Sequence, residues 1–171
     1  MKKVLVIGTM VLGLFTACKK NDNTQYYDPY PQFVIDSTKI QAYLKANNIA
    51  AAYDSNGFFY QIIDKGTGTD TIKVTDYPIA GYKGYMLDGT VFDANDSTNF
   101  GKAPLYKLVG GWQLGLRYIG KSGKMKLFLP SFYGYRDANV PFKYNGVSGT
   151  IPANSPLIFE VKLFDFSSQP K

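Results

Sequence analysis

The stretch YKGYMLDGTVFD, residues 82–93, carries the strongest local folding signal in the sequence. Apolar and polar residues alternate on both sides of Asp88-Gly89, which is typical of two paired strands. Asp-Gly is favoured in a type I′ turn because both central residues of that turn have positive φ. The stretch therefore predicts a β-hairpin closed by a tight Asp88-Gly89 turn, with Gly81 and Gly84 as candidate β-bulge positions in its first strand.

The chain beyond residue 57 has the same character. Apolar residues over 57–64, 124–130 and 156–164 predict three further strands, and the polar run 65–70 predicts a turn. Between them, residues 111–119 (GWQLGLRYI) carry apolar side chains at helical spacing and predict one short helix. Several antiparallel strands with a single internal helix predict an α+β domain.

A second helix is predicted ahead of this domain. Residues 36–49 (DSTKIQAYLKANNI) place Ile40 and Leu44 on one face, and Asp36 or Ser37 is a suitable N-cap. We expect this amphipathic helix to pack against the domain as an N-terminal extension.

The first eighteen residues are typical of an export signal. Two lysines precede an apolar run over 4–15 that is too short to cross a bilayer. Two small residues then precede Cys18, which resembles the lipobox of a bacterial lipoprotein, although Phe15 stands where leucine is usual. The resemblance implies cleavage before Cys18 and acylation of its sulfur, and a plain secretory signal is the alternative.

A lipid anchor and a tether would then precede the folded part. Several acyl chains, at about 0.8 kcal/mol per buried CH₂, anchor a protein stably to a membrane. Residues 19–32 are polar and interrupted by Pro29 and Pro31, which predicts an extended tether. Lys19 stands where many lipoproteins of the inner membrane have aspartate, which favours the outer membrane of the bacterial envelope. The expected organisation is signal peptide (1–17), lipidated cysteine and tether (18–35), helical extension (36–56), main domain (57–166) and tail (167–171).

The composition excludes several kinds of chemistry. The 171 residues include no histidine and one cysteine, so the chain has no imidazole base, no His/Cys zinc site and no internal disulfide. Without the two lysines of the export signal, the formal net charge falls from +6 to +4. Because no Lys/Arg run accompanies this surplus, we expect no nucleic-acid partner. We also expect no cofactor, and any catalysis must use carboxylates, Lys, Tyr, backbone groups or shape.

Three weaker patterns are better explained by turns and strand ends. Gly66 and Gly68 lack the third glycine and the helix of a dinucleotide-binding loop. Residues 93–99 alternate like calcium ligands but lack the required glycine and the closing glutamate. Asp88 and Asp93 have the residue types of a glycosidase pair, yet a turn and a strand end account for both.

Five separated blocks carry a more specific signal. They are YKG (82–84), DGTVFD (88–93), VGGWQLGL (109–116), LPSFYGY (129–135) and IPANSPLIFEVKL (151–163). In this order they closely resemble the FK506-binding-protein (FKBP) type of peptidyl-prolyl cis–trans isomerase, over about residues 57–166. The resemblance implies a twisted antiparallel sheet of five to six strands wrapped around a short helix.

The resemblance also implies an active site, an apolar cup between helix and sheet. For each aromatic residue of the cup taken alone, a role in core packing is about as good an explanation as a role in the active site. In the family, a backbone N–H at the position of Val109 binds a substrate carbonyl. Proline-containing polypeptides are the implied clients, and a macrolide of the FK506 type is an implied ligand. The implied residues are Trp112 at the floor, Tyr82, Phe92, Tyr135 and Phe159 on the walls, Val109 and Ile151 at the rim, and Asp93 beside the cup.

The implied reaction suits a chain without histidine. Rotation about an X-Pro bond needs no nucleophile, and its barrier of about 18–20 kcal/mol comes from amide resonance. The twisted transition state is less polar at its carbonyl than the ground state, so an apolar pocket binds it preferentially. Two other readings stay open: a non-catalytic binding or chaperone module with the same cup, and an envelope structural lipoprotein with exposed tyrosines.

The sequence departs from the family pattern in several places. Arg136 stands where glycine usually follows the tyrosine, and the insert 137–150 is longer than the loop of minimal members. A second wall phenylalanine has three competing candidates, Phe100, Leu105 and Tyr106. An arginine that often bonds the aspartate of the cup has no clear match.

Overall fold

The fold is an antiparallel sheet with a helix packed on each face. The computed structural model describes residue 28 and residues 30–96 and 103–170. The helices are α1 (Tyr30–Ala46) and α2 (Gly110–Gly115), and a 3₁₀ turn over Leu116–Tyr118 continues α2. The strands are β1 (Ala52–Tyr53), β2 (Phe59–Asp64), β3 (Tyr77–Met86), β4 (Val91–Asn95), β5 (Lys124–Leu129), β6 (Val140–Tyr144), β7 (Val147–Ile151) and β8 (Leu157–Ser167).

The predicted α+β class is confirmed. The export signal, Cys18 and most of the predicted tether lie outside the described residues, as do residues 97–99 of the calcium-like pattern and Phe100. Six strands form one antiparallel sheet in the order β1-β2-β5-β8-β3-β4, and β6 and β7 form a separate hairpin.

Both faces of the six-stranded sheet are buried over its central strands. On β8, Phe159 and Val161 belong to the core on the front face, whereas Ile158 belongs to the core on the back face. Successive strand residues point to opposite faces, so the continuous apolar run of β8 reflects burial on both sides. The front core carries α2, and the back core carries α1.

Two glycines let α2 lie very close to the front face. A Cβ atom on Gly111 would lie 2.2 Å from a methyl group of Leu129, and one on Gly115 would lie 2.4 Å from a methyl group of Leu127. The helix therefore rests on β5 through its backbone, and Trp112 is held against the sheet with only 3% of its surface exposed. The predicted helix at 111–119 is confirmed, with its last turn in the tighter 3₁₀ form.

The N-terminal helix packs on the back face of the sheet. Ile40 and Leu44 of α1 contact a cluster of Phe59, Phe128 and Ile158 from three adjacent strands. The helix is therefore part of the same hydrophobic structure as the sheet. Within the described residues no helix has both the length and the apolar character needed to cross a membrane.

The predicted boundaries of this helix, 36–49, were wrong. It begins at Tyr30 and ends at Ala46, so Asp36 lies inside the helix and is no N-cap. The Asp36 carboxylate is fully buried, and its Oδ2 atom accepts a hydrogen bond from the backbone N–H of Ser131 at 2.8 Å. Its Oδ1 atom accepts a second bond from the Gln32 side chain at 2.7 Å. A tertiary contact therefore explains the acidic residue that the sequence pattern assigned to a cap.

The hairpin of residues 82–93 is confirmed, but its turn differs from the prediction. Gly89 has positive φ (88°), whereas Asp88 does not. The N–H of Gly89 donates to the Met86 carbonyl at 2.9 Å, and the N–H of Met86 donates to the Thr90 carbonyl at 3.0 Å. This is a three-residue loop, a type I turn followed by a glycine bulge. Asp88 accepts a hydrogen bond from the N–H of Thr90 instead of adopting the left-handed conformation.

The insert at 137–150, for which the sequence predicts only a long loop, forms a second hairpin. Strands β6 and β7 pair with Tyr144 opposite Val147, and Asn145 and Gly146 both have positive φ (47° and 79°). This is the type I′ geometry. Phe142 of the hairpin packs against the front core.

Candidate active site

The front face of the sheet carries a small, mostly apolar cavity between β3, β4, β8 and α2. Its volume is about 230 Å³. It is large enough for a side chain or a short ligand fragment and lies at the surface, where a polypeptide has access. The residues that line it are Tyr82, Asp93, Leu108, Val109, Trp112, Tyr135 and Phe159.

Edge-to-face aromatic contacts hold the floor of the cavity. The Trp112 ring lies 5.3 Å from the Tyr82 ring and 5.7 Å from the Phe159 ring, at interplanar angles of 83° and 87°. Aromatic pairs prefer this arrangement, and each contributes about 0.5–1.5 kcal/mol beyond the area that it buries. The floor is therefore a preformed surface of ring faces and edges.

Phe92 supports the wall from behind. It does not line the cavity, is 4% exposed, and packs edge-to-face on Phe159 at 5.6 Å and on Tyr135 at 6.3 Å. Ile151 likewise lies in the front core, 1% exposed, and does not reach the cavity surface. The structure thus brings six of the eight sequence-predicted residues together at the cavity and places Phe92 and Ile151 in the layer beneath.

A β-bulge explains how Phe92 and its neighbour Asp93 serve the same side of the sheet. Gly84 pairs with Asp93 and Tyr85 pairs with Val91, so Phe92 is the extra residue in β4. Consecutive residues of a regular strand point to opposite faces, and the bulge relaxes this constraint. Gly84 makes room for the turned ring, because a Cβ atom there would lie 2.6 Å from Phe92 and 2.9 Å from Phe159.

Tyr82 and Asp93 form the polar part of the cavity wall. The Tyr82 hydroxyl donates a hydrogen bond of 2.6 Å to Oδ2 of Asp93. Burial, this hydrogen bond and the negative charge of Asp93 raise the pKa of Tyr82 well above its ordinary value. Burial and the same carboxylate also raise the pKa of Tyr135. Both hydroxyls therefore stay protonated at neutral pH.

Val109 brings a backbone donor to the cavity. It is the residue before α2, with φ −55° and ψ 144°, and its carbonyl accepts the N–H of Trp112 at 2.9 Å. Within the described residues its own N–H donates to no protein acceptor. A ligand carbonyl in the cavity therefore has an available donor at the start of α2.

Leu108 lines the cavity and was not predicted, because an isolated leucine in a loop gives no signal in the sequence. Leu105 is fully buried in the core, and Tyr106 is 54% exposed outside the cavity lining. Neither supplies a second wall phenylalanine.

The loop that carries Tyr135 is fixed by α1. Besides accepting the Ser131 N–H through Asp36, α1 places Phe33 edge-to-face on Tyr133, with 6.2 Å between ring centroids. The Tyr133 hydroxyl also donates to the Asn56 carbonyl at 2.6 Å. The N-terminal helix therefore contacts the loop that forms the cavity wall directly, through a hydrogen bond and an aromatic pair.

The cavity suits binding and desolvation better than covalent or metal chemistry. Its lining offers one carboxylate, two protonated tyrosine hydroxyls and a backbone N–H, and the rest is apolar. Across the described ranges, no group of three or more Cys, Asp or Glu side chains is placed to hold a metal ion. The arrangement can bind an apolar, ring-sized group and hydrogen-bond one adjacent carbonyl.

Comparisons with known proteins agree with this geometry. The family model for the FKBP-type peptidyl-prolyl cis-trans isomerase matches residues 68–164. The FKBP-type peptidyl-prolyl cis-trans isomerase FkpA of Escherichia coli K12 is 38% identical over 120 residues, which cover 68% of this chain and 40% of that protein. FkpA of Aeromonas hydrophila is 34% identical over 133 residues, which cover 76% of this chain and 46% of that protein.

Solved structures show the same fold. The crystal structure of E. coli FkpA superposes with a TM-score of 0.61 at 31% identity, covering 81% of this chain and 62% of that one. A peptidyl-prolyl cis-trans isomerase from Pseudomonas syringae superposes with a TM-score of 0.63 at 19% identity, covering 82% of this chain and 97% of that one. The chain belongs to the FKBP-type peptidyl-prolyl cis-trans isomerase family. It spans less than half the length of the curated relatives it matches.

Proposed function

We propose that the protein is a peptidyl-prolyl cis–trans isomerase that acts on X-Pro bonds of exported envelope proteins. The observation that carries the proposal is the preformed aromatic cavity over Trp112, with the available N–H of Val109 beside it. The membership of the chain in the FKBP family supports the same activity. The proline ring would lie on the Trp112 floor, and the adjacent carbonyl would accept the N–H of Val109.

The reaction in this cavity is differential binding of a twisted amide. A planar X-Pro amide is stabilised by resonance, which raises the polarity of its carbonyl. Water solvates this polar carbonyl well. Rotation removes that resonance, so a dry aromatic wall disfavours the planar form more than the twisted form. An acceleration of three to four decades requires only about 4–5.5 kcal/mol of such preference.

Each polar group would have a limited role. The Val109 N–H would hold the client in register, and Asp93 would position Tyr82 through their 2.6 Å hydrogen bond. No step forms a covalent bond or moves a proton between client and protein. Because Tyr82 and Tyr135 have raised pKa values, they keep the cavity uncharged apart from Asp93 at neutral pH.

The proposal includes a location and a ligand class. We propose acylation of Cys18 and a lipid anchor at the bacterial envelope, more specifically the outer membrane, on the basis of the export-type N-terminus. Proline-containing exported polypeptides would be the clients. A macrolide of the FK506 type would compete for the cavity, because it also presents an apolar ring next to carbonyl groups.

Turnover on a panel of short X-Pro peptides tests the activity. The wild-type chain should accelerate cis–trans exchange, and Tyr135→Ala should lower kcat/KM about tenfold by removing one aromatic wall worth about 1–2 kcal/mol. Tyr53→Ala is a matched control, because Tyr53 is 60% exposed on β1 and lies outside the cavity. Peptide binding without turnover, from a folded protein, would instead favour the non-catalytic binding module.

A further inference from the structure

A second depression continues from the cavity across the surface. It has a volume of about 530 Å³ and shares Leu108 and Val109 with the cavity. One wall is the start of α2 with Gln113 and Leu114, and the other is the loop from Phe132 to Arg136. We call this depression the flanking groove. A polypeptide that places a proline over Trp112 has this groove directly beside it.

The walls of the flanking groove are already fixed. The Gln113 amide donates to the carbonyls of Leu108 at 2.8 Å and Tyr106 at 3.1 Å, which holds the loop before α2. Across the groove, the Tyr133 hydroxyl is bonded to Asn56, and the Ser131 N–H is bonded to Asp36. A bound chain would therefore meet a prepared surface and lose little affinity to ordering of the protein.

Arg136 stands at the end of this groove in an unusual conformation. Its φ is +57°, a region that an arginine adopts only when the surrounding structure demands it. Its N–H donates to the Ser131 carbonyl at 2.8 Å, and its carbonyl accepts the N–H of Asn154 at 2.7 Å. Two loops therefore hold the backbone in place, and glycine would fit this conformation at a lower cost.

Arg136 is one of the residues that line the groove, and no carboxylate of the described residues pairs with its guanidinium. The guanidinium lies 5.0 Å from the centre of the Phe132 ring, a cation–π contact that favours this orientation of the side chain. In the part of the chain that the structure describes, no Asp or Glu side chain forms a salt bridge with Arg136, including its neighbour Asp137. The acidic residue of the cavity, Asp93, is engaged by Tyr82. The groove thus presents an oriented positive charge.

We propose that the flanking groove binds the client residues next to the proline and that Arg136 selects an acidic side chain among them. This inference rests on the proposed function, since it defines the clients of the same cavity. The shared residues Leu108 and Val109 make the groove continuous with the cavity, and the unneutralised guanidinium supplies the charge complementarity. Lysine at the same client position would be disfavoured by the same charge.

The test compares three peptides with a single proline. They differ only in the residues directly before and directly after that proline, which are both Glu, both Gln or both Lys. For each, the full chain is assayed for both kcat/KM and Kd, the latter by Trp112 fluorescence. Both kcat/KM and the binding affinity should be about two- to fivefold higher for the Glu peptide than for the Gln peptide, which is the range of a partly exposed ion pair. The ratio should fall toward one in about 1 M salt, where the Debye length is about 3 Å.

Two arginine variants make the test specific. Arg136→Gln should remove the Glu/Gln ratio, whereas Arg117→Gln should keep it, because Arg117 lines a different depression beside Asp54 and Tyr118. A ratio near one in the wild type, or a ratio that survives Arg136→Gln, would overturn the inference.

The two proposals fail in different ways. Turnover of all three peptides without a charge preference would leave the isomerase proposal standing and remove the role of Arg136. A Kd preference for the Glu peptide without any turnover would support the groove and refute catalysis. The absence of both binding and turnover would refute the two proposals together.

Discussion

The buried carboxylate of Asp36 is the structural link between α1 and the wall of the active site, and Asp36→Ala removes it. The side chain is fully buried and accepts two hydrogen bonds, one from the Ser131 N–H at 2.8 Å and one from the Gln32 amide at 2.7 Å. The Ser131 bond joins residues 95 positions apart. Its loss would free the loop that carries Tyr133 and Tyr135.

The size of the effect follows from these two bonds. A hydrogen bond to a charged group contributes about 1.5–3 kcal/mol, and a buried N–H left without an acceptor costs about 1–3 kcal/mol. Removing the carboxylate also removes its own desolvation cost, which offsets part of the loss. We therefore expect Asp36→Ala to lower the free energy of unfolding by about 2–4 kcal/mol. Asp36→Asn, whose amide oxygen can still accept the Ser131 N–H, should lose about 1 kcal/mol.

Urea unfolding followed by Trp112 fluorescence measures both variants. With a slope of about 2 kcal/mol per M, the middle of the usual range for urea, the expected loss in Asp36→Ala moves the midpoint down by roughly 1–2 M. A change below about 0.5 kcal/mol, the range of ordinary surface substitutions, would refute the structural link. An Asp36→Asn variant as unstable as Asp36→Ala would show that the charge, and not the Ser131 bond, is what matters.

Three further predictions concern the cavity and its surroundings. Gly84→Ala places a methyl group 2.6 Å from the Phe92 ring, so thermal unfolding should show a loss of about 1–3 kcal/mol together with reduced turnover. At Asp54, burial raises the pKa, but the hydrogen bonds from Tyr118 and Asn56 outweigh it and lower the pKa below its ordinary value. The resulting stability is present above about pH 3.9, the pKa of an unfolded aspartate, and is lost as the pH falls through the lower pKa of the folded state. On acid titration, the free energy of unfolding of Asp54→Asn should therefore fall less than that of the wild type. Because the pKa of Tyr82 is raised and the chain has no histidine, kcat/KM should vary less than about twofold between pH 6 and 9.

Each of these has a contrary result. A Gly84→Ala protein of unchanged stability would mean that the ring of Phe92 has room to move. An Asp54→Asn protein with the acid transition of the wild type would place the acid-sensitive group elsewhere. A bell-shaped pH profile with a limb near neutrality would require a titrating group that the cavity does not show.

The turns illustrate how far local patterns reach. The presence of a hairpin at residues 82–93 was predictable from the alternation of apolar and polar residues, but the type of its turn was not. Asp88 satisfies the Thr90 N–H from an ordinary conformation, so only Gly89 needs positive φ. The type I′ turn occurs instead at Asn145-Gly146, in the insert for which the sequence predicts only a long loop. Asn-Gly has the same preference for positive φ as Asp-Gly, but no turn was predicted from it.

Long-range contacts account for the other differences. The start of α1 was misplaced because Asp36 looks like a cap in sequence, while its partner is the N–H of Ser131. The placement of Phe92 beneath the cavity depends on a one-residue bulge opposite Gly84, which alternation alone does not reveal. The flanking groove was missed because it joins residues from α2 to the loop of Arg136, two segments about twenty residues apart. What the sequence did contain was the ordered set of blocks that meets at Trp112.

The exchange rate of a single X-Pro bond tests the central claim most directly. Exchange NMR on a peptide with one Leu-Pro bond reports cis–trans interconversion at equilibrium, which takes tens of seconds or more without a catalyst. A substoichiometric amount of the full chain should bring this to about a second or less, and a folded Trp112→Leu variant should lose at least about tenfold of the acceleration. A folded wild-type protein that leaves the rate unchanged, or a Trp112→Leu variant as fast as the wild type, would contradict catalysis in this cavity.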